Sequence, residues 1–153
     1  MKWLEDLILN PFFIAGVSSW FVAQVIKTII HWIIYKKFDI HRLFGDGGMP
    51  SGHSATVCSV SLMSSLIYGT DSFEFAISAI LAIIVCHDAM GVRLETGKQA
   101  VVINELLNAF SVLSEEKLPE AKLKEFVGHT PIQVLAGIAV GVINTIFIYN
   151  ILF

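Results

Sequence analysis

Apolar residues dominate four stretches of the chain, 12–35, 54–69, 73–92 and 132–153, and polar residues collect between them. A helix needs roughly 20 such residues to cross a bilayer, so each stretch reads as a membrane span. The second is short and rich in Ser and Thr, which predicts a helix packed among the others rather than facing lipid. Gly137 and Gly141 stand four apart in the last span, a spacing that favours a close helix contact within the monomer over a dimerisation face. Between the third and fourth spans lies an insert, 94–128. In its segment QAVVINELLNAF, residues Val102, Ile103, Leu106, Leu107 and Phe110 recur at helical spacing and give one greasy face. PEAKLKEFV then opens on Pro119, a favoured first helical residue, and predicts a further helical piece. These pieces can lie on the membrane surface, cover the bundle or pair with another subunit, so a homo-oligomer stays open. The pattern predicts an all-α integral membrane helical bundle, with about four transmembrane helices plus an amphipathic helical insert, in a single membrane-embedded domain, 1–153.

Composition agrees. The chain is 55% hydrophobic and 15% charged, with a mean hydropathy of +0.72, more apolar than the core of a soluble domain of this size requires. MKWLEDLILNPFF carries Glu5 and Asp6 and no basic leader, so the first span is expected to stay rather than be cleaved. A net charge of -3 with scattered basic residues excludes a nucleic-acid surface. Cys58 and Cys86 both lie in apolar stretches and read as buried core thiols. Lys36, Lys37 and Arg42 follow the first span, and Arg93, Lys98, Lys117, Lys122 and Lys124 follow the third, whereas the loop GTDSFE has no basic residue. The positive-inside rule then puts both basic loops in the cytoplasm, in a bacterial-type inner or plasma membrane.

That topology brings Lys27, His53, Asp88, Arg93 and His129 to one membrane face. Ionisable groups near membrane depth cost several kcal/mol unless paired or hydrated, and one phosphate would satisfy several of them. The segment GGMPSGHSA is built to receive it: Gly47 and Gly48 allow a tight turn, Pro50 fixes it, and Ser51 is a good N-cap. The first N–H groups of the next helix then favour an anion, with His53 beside it. The bland alternative is a capped turn with a surface histidine.

PSGH at Pro50 to His53 resembles the second signature of the type 2 phosphatidic acid phosphatase superfamily, which includes lipid phosphate phosphatases and vanadium haloperoxidases. HTPIQVLAG, from His129 to Gly137, resembles the end of the third signature. Taken together, GGMPSGHSA, DAMGVRLETGKQAVVIN and GHTPIQV look like the small divergent branch of that superfamily. The resemblance implies a lipid phosphate phosphatase. In it His129 attacks phosphorus to form a phosphohistidine, His53 protonates the leaving oxygen, and Lys27, Ser51, Gly52 and Arg93 bind the phosphate. It implies neither a metal nor another cofactor. The implied substrate is a phosphomonoester or pyrophosphate of a membrane lipid, such as phosphatidic acid, phosphatidylglycerophosphate or a polyprenyl phosphate, reached from the cytoplasmic side.

The chain departs from the family pattern at three places. Ile34 stands where an arginine follows the lysine of the first signature, with Arg42 as a substitute. Leu123 stands where an arginine precedes the nucleophile, with Arg93 as the replacement. Gln133 replaces the carboxylate four residues after His129; an amide orients an imidazole without stabilising its positive charge. Asp88 can supply that charge, or form a structural salt bridge to Lys27 or Arg93. Gln99 and Asn104 either read a head group at the pocket mouth or bridge helices. Two other functions stay in play. One is a non-catalytic phospholipid- or anion-binding membrane protein; the other is a metal-assisted hydrolase using Asp88, His87 and His53.

Overall fold

A computed structural model describes residues 2–36, 47–114, 123–125 and 127–153. Lys37, Arg42, Lys117, Pro119 and Lys122, all invoked above, lie outside the described residues. Those residues form helices α1 (Lys2–Ile8), α2 (Pro11–Tyr35), α3 (Gly52–Tyr68), α4 (Phe73–Met90), α5 (Val92–Ser114) and α6 (Pro131–Leu152), with no strand among them. The chain forms a helical membrane bundle.

Local chemistry sets where each helix begins. Asn10 caps α2, its side-chain oxygen accepting from the N–H groups of Phe12 and Phe13 at 2.9 and 3.2 Å, and Pro11 occupies the first turn, where no donor is needed. Ser51 caps α3 and Ser72 caps α4 in the same manner. At α6, Pro131 again fills the first turn, and the Gln133 side chain reaches back to the Thr130 N–H at 3.0 Å.

Three helical stretches among the described residues are long and apolar enough to cross a membrane: α2, α4 with its continuation into α5, and α6. The other expected span, α3, has 17 residues, about 26 Å at 1.5 Å per residue, against a hydrocarbon core of about 30 Å. It packs against α2, α4 and α6, and Ser54, Ser59, Ser61 and Ser64 are buried along it. As its composition predicts, α3 is packed among the others, and these four serine hydroxyls are kept inside the bundle.

The α3–α6 contact is a seam of small residues. A Cβ on Gly137 would collide with the Ser51 carbonyl oxygen, and one on Gly141 would stand 2.5 Å from the Ala55 carbonyl oxygen. One turn further, the Thr145 hydroxyl donates to the Ser59 carbonyl at 3.3 Å. The partners advance by four on both helices, so α3 and α6 run parallel and begin at the same end of the bundle. The GxxxG spacing is spent inside the monomer, as its sequence suggests.

The insert differs in detail from its expected form. Its first helix starts at Val92, directly after the break at Gly91, and presents Val102, Ile103 and Leu106 as exposed residues. The helix expected to open at Pro119 does not extend to Leu123, Lys124 and Glu125, which are non-helical. The reason is a side-chain clamp. Asn104 donates to the Leu123 carbonyl (3.0 Å) and to Glu125 Oε1 (2.8 Å), and accepts from the Leu123 N–H (3.0 Å). Gly97 adds room, since a Cβ there would stand 2.6 Å from the Val127 carbonyl oxygen. The returning strand of chain therefore lies flat along α5. Asn104→Ala is expected to cost roughly 1 to 3 kcal/mol and to loosen the chain around the exposed Lys124, measured as a faster tryptic cleavage there in the detergent-solubilised protein; an unchanged rate would show that the clamp is idle.

Candidate phosphate site

The ends of four helices meet in one layer. Gly47 and Gly48 take φ of 75° and 84°, a left-handed backbone that favours glycine, and bring the chain tightly to Pro50 and the start of α3. The Ser51 N–H donates to the Gln133 carbonyl at 3.0 Å, tying this turn to α6, and the His129 N–H donates to the Ala89 carbonyl at 2.9 Å, tying the α6 entrance to the end of α4. Behind these ties, Cys86, Ala89 and Val134 form a small buried cluster with Cys58 packed against it; both cysteines are free thiols.

His53 and His129 face each other across this layer, with ring centroids 6.5 Å apart and planes inclined at 60°. His53 is exposed, whereas His129 is 4% exposed. Lys27 is nearly as buried as His129, at 6%, and its aliphatic stem runs past Gly48, where a Cβ would meet it at 3.5 Å. Its charge is felt by His129. Burial of the ring holds the His129 pKa below the usual histidine value. The Gln133 side chain opposes that shift, the Lys27 and His53 charges reinforce it, and the Gly48 backbone opposes it again. A buried imidazole beside a cation is thereby kept neutral.

Gln133 holds the ring from the other side. Its Oε1 accepts from the Thr130 N–H and lies 3.4 Å from His129 Nδ1. Since Thr130 fixes that atom as oxygen, an imidazole hydrogen-bonded to it carries its proton on Nδ1 and keeps the lone pair on Nε2.

Lys27, Gly48, His53, His129 and Gln133 thus come together, and Gly52 opens α3 beside them. Ser51 is fully buried as the cap: its Oγ accepts from the N–H and hydroxyl of Ser54 at 3.3 and 3.0 Å. The next residues, Gly52 and His53, form the first turn of α3, at the end where a helix presents its N–H groups outward. Asp88 and Arg93 pair with each other, Nε to Oδ2 at 2.6 Å, with side chains 40% and 51% exposed. Of the two roles open to Asp88, this geometry displays the salt bridge, and to Arg93. Asn104 bridges the insert rather than pointing at the layer, Gln99 is exposed on α5, and Arg42 is outside the described residues. His87 is exposed, and among the described residues no three His, Cys, Asp or Glu side chains gather closely enough to hold a metal ion.

Two neighbours of the site were not singled out from sequence. Trp20 lies against the start of α3, where a Cβ on Gly52 would stand 3.3 Å from its Cδ1. Gln24, one turn before Lys27, is 5% exposed, and its Oε1 is buried with no hydrogen-bond partner among the described residues. A lone amide in an apolar span, three residues from a lysine, was the signal available for Gln24; an aromatic in a membrane helix gives no comparable signal for Trp20.

The comparisons with known proteins agree with this architecture. The chain is 39% identical over 150 residues to the uncharacterized membrane protein YuiD of Bacillus subtilis (strain 168), covering 92% of this chain and 95% of that one. No solved structure matches. The model of the divergent PAP2 family matches residues 8–144, and with the paired histidines at the mouths of two parallel helices, the chain belongs to that family of membrane proteins.

Proposed function

We propose that the protein is a lipid phosphate phosphatase whose site opens to the cytoplasmic face and acts through a phosphohistidine. The observation that carries this reading is the facing pair His53 and His129, 6.5 Å between ring centroids, with a buried lysine at hand. A phosphoryl group between the two rings can be attacked from one side and lose its alcohol on the other, as in-line displacement requires.

His129 Nε2 donates its lone pair to phosphorus, the P–O bond to the lipid alcohol breaks, and His53 delivers a proton to the departing oxygen. Water then attacks the phosphohistidine, the P–N bond breaks, and His53 takes up the proton that water gives away. Lys27 and the first N–H groups of α3 hold the non-bridging oxygens, where fixed charge costs no reorganisation. Gln133 keeps the His129 tautomer. Arg93, released from Asp88 by an arriving anion, reaches the phosphate from the rim. Candidate substrates remain phosphatidic acid, phosphatidylglycerophosphate and polyprenyl phosphates, whose head groups lie at this depth while their chains stay in lipid. The reading as a phospholipid-binding protein without turnover takes its support from Gln133, which cannot neutralise an imidazolium.

The pH profile tests the mechanism. The nucleophile works neutral, so kcat/KM falls as pH drops through the His129 pKa. Because that pKa is lowered, the acid limb has its midpoint below 6.5. Gln133→Ala removes an interaction that favours the protonated ring and moves the limb further down; Gln133→Glu moves it up. A wild-type limb centred above 6.5, or one insensitive to both substitutions, would remove His129 from the nucleophile's role.

A further inference from the structure

A groove of about 360 Å³ opens between α2, α3 and α4, walled by Val17 and Trp20 of α2, His53 and Val57 of α3, and Val85 of α4. Gly16 and Thr56 also line it, the Thr56 hydroxyl donating to the Gly52 carbonyl of its own helix at 2.9 Å, so apart from the His53 ring the other walls are hydrocarbon and indole. Val17 is 48% exposed, so the groove is open on the flank of the bundle. His53 belongs to both places: it lines the groove and faces His129 across the phosphate layer. His129 does not line the groove. Trp20 touches both regions: it lines the groove and lies against Gly52 at the start of α3.

We propose that this groove seats the hydrocarbon chain of the leaving alcohol, a single lipid chain entering from the bilayer between α2 and α4. The direction of the chain rests on the phosphatase reading. In an in-line transfer the leaving oxygen stands opposite the nucleophile; with His129 attacking, the alcohol departs on the His53 side, which is the side from which the groove runs. The volume suits one chain: it is at the low end of the ~300 to 1,000 Å³ of small-molecule pockets, and has room for about a dozen groups of the ~30 Å³ that a water occupies in the liquid. A bilayer lipid needs no protein wall to keep its chain out of water, so the groove acts on alignment. It holds the ester oxygen at His53 while the chain stays in an apolar setting.

The test uses water-soluble chains, presented singly below their micelle thresholds, with the full-length protein in detergent. Straight-chain alkylphosphonates from ethyl to octyl, which do not hydrolyse, are titrated against Trp20 emission in a Trp3→Phe, Trp32→Phe background; release of phosphate from the matching alkyl phosphates is measured in parallel. Affinity is expected to rise by about 4-fold per added methylene, the equivalent of about 0.8 kcal/mol per buried CH₂, as the groove fills. Val17→Phe and Val85→Phe, which crowd the groove from two different helices, are expected to flatten that rise and leave ethylphosphonate binding and ethyl phosphate turnover unchanged. A rise that both variants preserve, or no rise at all, overturns the groove assignment. Chain-dependent phosphonate binding that either variant flattens, without phosphate release from any ester, keeps the groove and overturns the phosphatase reading. Release from ethyl and octyl phosphate alike, unaltered in both variants, does the reverse.

Discussion

His129→Ala is expected to abolish phosphate release from every lipid phosphate the wild type hydrolyses, by at least about 10⁴-fold, since removing a nucleophile leaves only binding and electrostatic stabilisation. The change should leave the fold intact. What anchors this segment is the His129 backbone N–H on the Ala89 carbonyl, which alanine retains. His53→Ala is expected to be the milder lesion, roughly 10² to 10⁴-fold, because solvent water can still deliver, less efficiently, the proton that the departing alcohol needs. The ratio between the two is informative: a p-nitrophenyl ester, whose leaving group needs no proton, should narrow the His53 defect and leave the His129 defect whole. An acid-labile phosphoryl group trapped on the wild type by rapid quench, and missing from His129→Ala, is the accompanying chemical signature. Equal background release from wild type and His129→Ala would transfer the protein to the non-catalytic, lipid-binding class.

Gly137→Ala is expected to damage stability and site together. The added Cβ would meet the Ser51 carbonyl oxygen, which already accepts from the Ala55 N–H at 3.1 Å and has no rotamer by which to withdraw. Overpacking against movable side chains costs about 1 to 3 kcal/mol; against backbone, the upper end of that range is expected, and Gly137→Val should exceed it. The separation of α3 from α6 also carries His53 away from His129, because both helices begin at the site. Loss of turnover should therefore track loss of thermal stability across Gly137→Ala and Gly137→Val. Ala139→Leu, on the exposed face of the same helix, serves as the control and should change neither. A Gly137→Ala protein that melts like the wild type would mean that the seam is looser than its geometry.

Much of this arrangement is legible in the amino-acid order because its causes are local. A run of apolar residues has one low-energy fate in a bilayer, and an Asn-Pro, Ser or Thr-Pro placed before such a run begins a helix wherever it stands. The starts of the four expected spans therefore fall within two residues of the helix starts, at Pro11, Gly52, Phe73 and Pro131. The turn GGMPSGHSA belongs to the same class, with Gly47 and Gly48 in the backbone region that glycine favours. The small-residue seam was readable as well, because Gly137 and Gly141 have no other use in a helix that must pack closely.

Which polar groups pair was less legible. Arg93 reads from sequence as a phosphate ligand, yet its guanidinium lies on Asp88, five residues back, because α5 starts immediately after the α4 break and keeps both side chains on the rim. Asn104 reads equally well as a head-group contact and as a bridge; only the path of residues 123–125 along α5 assigns its amide. Ser51 is a strong candidate for touching phosphate until its N–H is found on the Gln133 carbonyl of another helix.

The order of residues by itself determined that this chain lives in a membrane as a helical bundle, where its spans begin, and which histidines stand at their mouths. Tertiary structure alone decided which of those polar groups meet. Caps and spans depend on neighbours a turn apart, whereas the company His129 keeps with Lys27 and His53 depends on how far each helix is rotated and how closely α3 and α6 approach. That approach is set by backbone contact at Gly137 and Gly141, more than eighty residues along the chain from the turn they hold in place.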